Sequence, residues 1–164
     1  MKLNLIAASL AATLISISTT GAALAQDTPV PAEAAVVARG PIEVVVWNIR
    51  KDLGHVRVSI CTPLTFASSR KICPYHGDAP AHAGVTTVIV PDVPAGSYAA
   101  EVYQDEDDRR ALKRGPLGIP LEGVGFSNDA KISLEPPRFK DAAFDFDPAS
   151  PLAVRIKLRY FPNL

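Results

Sequence analysis

The chain has 164 residues, with 17 Lys and Arg against 17 Asp and Glu, and 48% of its residues are hydrophobic. That balance argues against a nucleic-acid partner, whose phosphates require a surplus of cations, and it gives no reason to expect binding to an anionic membrane surface. The length suits one domain with a sizeable core.

Met1 and Lys2 make a short positive start, and residues 3–24 are apolar or small and carry no charge. Ala23-Leu24-Ala25 meets the small-x-small cleavage rule, so residues 1–25 read as a signal peptide and the mature chain is expected to begin at Gln26. A retained anchor is the alternative, because the run nearly reaches spanning length. No Cys stands near Ala25, which argues against a lipoprotein, and no later segment is long and apolar enough to cross a membrane. The expected location is periplasmic or extracellular. Residues 26–40 are rich in Pro, Ala and Val without a period and read as a flexible N-terminal segment. The folded domain is expected over 41–164.

Residues 42–49 (I-E-V-V-V-W-N-I) are β-branched and aromatic, as a strand requires. The polar 50–54 stretch ends in Gly54 and suits a hairpin loop. Residues 55–61 then alternate: Val56, Val58 and Ile60 point one way, His55, Arg57, Ser59 and Cys61 the other. Residues 62–84 carry Pro63, Pro74 and Pro80 and read as a long connection, with one helical turn at 64–66. Strands follow at 85–90 and 97–104, joined by the turn chemistry of P-D-V-P-A-G. Residues 105–128 form one long ordered loop. Its Gly115, Gly118, Gly123 and Gly125 allow close backbone approach. Its Leu117, Ile119, Leu121, Val124 and Phe126 are expected to fold back on the domain. Short strands are expected at 131–134 and 142–146. The last strand, 152–160, alternates most clearly, with Leu152, Val154, Ile156, Leu158 and Tyr160 inward. About seven mostly antiparallel strands and no long helix predict an all-β fold. The count fits a single β-sandwich, immunoglobulin-like or transthyretin-like, with a small closed barrel as the alternative.

Cys61 and Cys73 form an even pair. In an exported chain they predict a disulfide that pins the long 62–84 connection, contributing about 3 kcal/mol in the chain-entropy account. A metal site on Cys73 and His76 is the weaker reading, because structural zinc needs about four ligands at tight spacing.

The acidic run Asp105-Glu106-Asp107-Asp108 raises calcium, since Asp105 and Asp107 have the D-x-D spacing of oxygen-rich loops. Arg109 and Lys113, however, stand where further oxygens belong. The run therefore reads as a solvated loop whose acids are answered by Arg109, Arg110, Lys113 and Arg114. Apart from that weak calcium candidate, no cofactor or metal is expected. Ser127 lies in G-V-G-F-S-N, which is no nucleophile elbow. Glu122 and Asp105 could pair across the loop for acid–base work. No phosphate-binding or dinucleotide motif is present.

Three blocks, G-S-Y-A-A-E-V-Y-Q-D-E-D, L-G-I-P-L-E-G-V-G-F-S-N and P-P-R-F-K-D-A-A-F, resemble the exported bacterial proteins grouped as domain-of-unknown-function family 2141. The resemblance covers roughly 42–161. It implies an extracytoplasmic β-sandwich and supplies no activity. The family's acidic block looks like a calcium-type D-x-N-x-N-x-x-x-D loop. Its oxygen positions would fall on Asp105, Asp107, Arg109 and Lys113, so this chain keeps the first two and departs at the last two. The Cys pair also resembles one found in some members.

The function expected is a non-enzymatic binding or interaction module of the cell envelope. Its candidate residues are Glu122, Gly123, Gly125, Phe126, Ser127 and Asn128, and its partner would be an envelope protein or a small molecule. A transthyretin-like hydrolase is the second reading. It requires His55, His76 or His82 within about 3 Å of Glu122 or Asp105. A calcium-stabilised module with a degenerate loop is the third.

Overall fold

A computed structural model describes residues 37–68, 70, 72–132, 135–150 and 152–161. They belong to the unit Ala35–Leu164. The leader at 1–25 and most of the 26–40 segment lie outside the described residues.

Eight strands are present among the described residues: β1 Arg39–Ile49, β2 His55–Cys61, β3 Tyr75–Pro80, β4 Gly84–Pro94, β5 Gly96–Asp105, β6 Val124–Phe126, β7 Ala143–Phe146 and β8 Ala153–Lys157. One sheet runs β4-β1-β8 and the other β3-β2-β5-β6, with β7 also on β5. β6 and β7 lie end to end along one edge of β5, opposite Glu101–Tyr103 and Gly96–Ala99. The strand pairs are antiparallel except β1 with β8, which is parallel. This is the expected β-sandwich, without barrel closure.

The interior follows from period-two alternation. β1 sends Ile42, Val44 and Val46 inward; β4 sends Val88 and Val90, and β8 sends Val154 and Ile156. Facing them are Val56, Val58 and Ile60 of β2 and Tyr98, Ala100 and Val102 of β5. A second, smaller cluster lies on the outer side of β2 and β5. There the Cys61–Cys73 disulfide packs with Phe66, Ala99, Ala130 and Ala142, and Phe126 and Phe139 border it. Phe66 makes edge-on contacts with Phe126 and Phe139 at 5.7 and 5.9 Å between ring centroids.

Five expectations need correction. The 105–128 stretch is not all loop, because Val124–Phe126 is the strand β6, paired with β5. The 62–84 connection is not all loop, because Tyr75–Pro80 (Y-H-G-D-A-P) is the edge strand β3. Its Gly and Pro hide it from a propensity reading, yet an edge tolerates Pro. Gly77 is required there, since a Cβ would stand 2.4 Å from the Ile89 carbonyl of β4. Lys131 and Ile132 lie outside any strand, and the rest of the expected 131–134 strand falls outside the described residues. A single helical turn, α1 Phe139–Ala142, leads into β7. Finally, Leu117 and Leu121 do not fold back on the domain, with Leu117 94% exposed; Val124 alone of the five named loop side chains is buried in the core.

Candidate functional site

β5 ends in two polar residues that are fully buried, Gln104 and Asp105. Gln104 donates to the carbonyls of Lys51 and Leu53 at 2.9 and 3.1 Å and accepts from the Tyr160 hydroxyl at 3.0 Å. It therefore ties the β1–β2 loop to the end of the chain. Asp105 accepts from Arg57 Nε at 2.6 Å and from the N–H groups of Arg109 and Arg110 at 3.0 and 2.8 Å. Burial works to raise its pKa. The Arg57 guanidinium and the two N–H groups outweigh that and hold it below the usual carboxylate range. The opening of the acidic run is thus an interior anchor, and only part of the run is the solvated loop expected.

Glu122 closes the loop from its far side. Only 3% exposed, it accepts the N–H of Glu106 at 3.1 Å and of Lys113 at 2.8 Å. One carboxylate thereby staples the two limbs of the loop. Asp107 pairs with Arg109 Nε at 2.8 Å and Lys113 Nζ at 3.4 Å, as a charge-balanced loop predicts. The Arg109 hydrogen bond leads in lowering its pKa, while partial burial opposes.

Asp105, Asp107 and Glu122 each place an oxygen within 4.8 Å of the others. Calcium would need several of those oxygens at once. Here Arg57, Arg109 and Lys113 supply the positive charge at the convergence point, and backbone N–H groups engage the rest. A divalent ion would have to displace them. The D-x-D spacing exposed two of these three acids. Glu122 carried no such signal, and Arg57, 48 residues before Asp105, carried none.

The other candidate residues are sewn into the fold. A Cβ on Gly123 would stand 2.6 Å from the Tyr160 ring, and one on Gly125 would stand 2.7 Å from both Ile156 and the Lys157 carbonyl. Phe126 caps Phe66. The Ser127 hydroxyl, fully buried, accepts the Ala100 N–H at 2.9 Å and donates to the Ala142 carbonyl. Asn128, in the left-handed region at φ 57°, donates to the Ala143 carbonyl at 2.7 Å.

The three histidines separate. His55 Nδ1 lies 2.6 Å from Asp108 Oδ1, and Arg57 Nη2 reaches the same oxygen at 3.3 Å. His76 Nδ1 lies 3.1 Å from Ser59 Oγ. His82 is exposed, and its main-chain N–H donates to Thr86 at 2.9 Å. Among the described residues none of the rings is hydrogen-bonded to Glu122 or Asp105.

The alternation on β2 and β5 that buries one face sets a polar array on the other. Register places His76, Ser59 and Glu101 in one row and Asp78, Arg57 and Tyr103 in the next. At one end of this outer face stands the loop after Asp105. At the other stands the disulfide loop, whose Ala67 N–H donates to Glu101. The two loops sit at opposite ends because β2 and β5 are antiparallel. This face was legible as the polar half of two alternating strands, but its third strand, β3, was not.

A family model described as an uncharacterized protein conserved in bacteria, DUF2141, matches residues 44–152. Neither a curated protein nor a solved structure matches the chain.

Proposed function

Since the chain belongs to the bacterial family DUF2141, which carries no assigned activity, we propose from its own geometry that it is a non-enzymatic binding module exported to the cell envelope. The surface that binds is the outer face of β3, β2 and β5. The observation that carries this reading is the polar array itself. Ser59, Arg57, His76, Asp78, Glu101 and Tyr103 share one face of a sheet whose other face is core. Loops braced by a disulfide and by Glu122 stand at its two ends. Rigid strands holding polar groups between fixed loops suit recognition.

Export is supported by the 1–25 pattern and by a disulfide suited to an oxidising compartment. Among the described residues no helix is long and apolar enough to cross a membrane. A hydrolase is favoured by the His55–Asp108 pair, which orients an imidazole as a general base requires, and by the 3.1 Å contact of His76 Nδ1 with Ser59 Oγ. No hydroxyl or thiol is hydrogen-bonded to the His55 ring among the described residues.

The test is retention of a component of envelope extracts by the immobilised chain. The wild-type chain is expected to retain one that a folded Ser59→Arg/Tyr103→Ala variant does not. Turnover of esters, peptides or cyclic amides by the purified chain would overturn the reading.

A further inference from the structure

Glu101 accepts the Ala67 N–H of the disulfide loop. It lies on β5 opposite Ser59 and Phe126, beneath the disulfide loop and beside the aromatic cluster of Phe66, Phe126 and Phe139. One of its carboxylate oxygens lies within 4.8 Å of both Cys61 Sγ and Cys73 Sγ. Among the described residues no Lys, Arg or His forms an ion pair with it.

We propose that Cys61, Cys73 and Glu101 form a transition-metal site in the reduced chain, selective for zinc-like ions, and that this site and the disulfide are mutually exclusive states of the same two sulfurs. Two thiolates and one carboxylate are a donor set that zinc accepts, with a fourth position left for water. The approach of the three groups is already set. Cys61 ends β2, Cys73 precedes β3, and β2 pairs with both β3 and β5. The two Cα atoms are 4.5 Å apart, just beyond the last β2–β3 pair, Ile60 with Tyr75. The Glu101 carboxylate is partly buried and accepts the Ala67 N–H, and a divalent ion would supply the positive charge that no side chain among the described residues gives it.

A dithiol reductant gives two electrons and two protons to the bridge, leaving two thiols here and a disulfide on the reductant. The metal then displaces the two thiol protons. A disulfide oxidant reverses this. The two thiolates give up two electrons, their bridge re-forms, and the ion leaves. The site would therefore fill before the bridge closes and empty when it does.

Cobalt(II) is the probe, because thiolate ligation gives an ultraviolet charge-transfer band. The reduced wild-type chain is expected to bind one equivalent with that band, while the oxidised chain and a Cys61→Ser/Cys73→Ser variant show none. Glu101→Gln should weaken cobalt binding at least about tenfold, since even outer-shell partners of a metal contribute about 10–100-fold. Circular dichroism of the Ser variant shows separately that the fold survives without the bridge. Absence of the band in a folded reduced chain would overturn the proposal. So would a Glu101→Gln chain that binds as tightly as wild type, which would mean adventitious binding by the dithiol alone.

Discussion

Arg57 on β2 and Asp105 at the end of β5 meet at 2.6 Å, the aspartate fully buried and the arginine side chain 12% exposed. Arg57 also faces Asp108 at 3.3 Å and Asp78 at 3.8 Å. One guanidinium thus organises three strands and the loop that follows β5. Truncating it leaves Asp105 charged, buried and without its cation. Arg57→Ala is expected to cost about 3 kcal/mol, the lower end for a broken buried pair because Arg57 still reaches solvent. Urea unfolding at neutral pH reads this directly.

The same pair sets an acid limit. Asp105 has a folded pKa below its unfolded value, so its contribution is fully present above the unfolded carboxylate range, about pH 4. It is lost as pH falls through the depressed folded value. Asp105→Asn should therefore be less stable than wild type at neutral pH. Its stability should also fall less steeply below about pH 4, in thermal melts taken at stepped pH. Parallel pH curves for the two chains would contradict the assignment.

Ser127 is a structural hydroxyl, joining the Ala100 N–H of β5 to the Ala142 carbonyl before β7. Ser127→Ala leaves a buried donor and a buried acceptor unmatched, at a cost of about 1–3 kcal/mol. Amide exchange at Ala100 should quicken in that variant.

A Cβ on Gly123 would stand 2.6 Å from the Tyr160 ring, whose hydroxyl in turn donates to Gln104. Gly123→Ala is expected to displace the ring and destabilise by about 1–3 kcal/mol. A second change, Tyr160→Ala, should make the extra methyl nearly neutral, because the atoms it meets are gone. A double-mutant cycle by urea unfolding measures that coupling.

Calcium is expected to leave the melting midpoint where a chelator leaves it. The oxygens of Asp105, Asp107 and Glu122 already serve Arg57, Arg109, Lys113 and backbone N–H groups. A site that calcium saturated would raise the midpoint by mass action. Scanning calorimetry with millimolar calcium and with chelator decides between the two.

Strand content, the alternating faces of β2 and β8, and the Cys61–Cys73 pair were all legible in the sequence, because each is written in residues close together along the chain. Period two is a local property, and so is the spacing that lets two Cys bracket a loop. Tertiary structure decided the rest. β3 has no apolar alternation and is a strand only because β2 offers it an edge and Gly77 lets it approach β4. β8 pairs in parallel with β1, a strand more than a hundred residues before it, which no local pattern records. The acidic run looked solvated because its neighbours in sequence are cations, yet Asp105 is buried because its partner, Arg57, comes from another strand. Glu122 and Ser127, named from the sequence as candidate binding residues, instead satisfy backbone groups that only the folded chain brings to them.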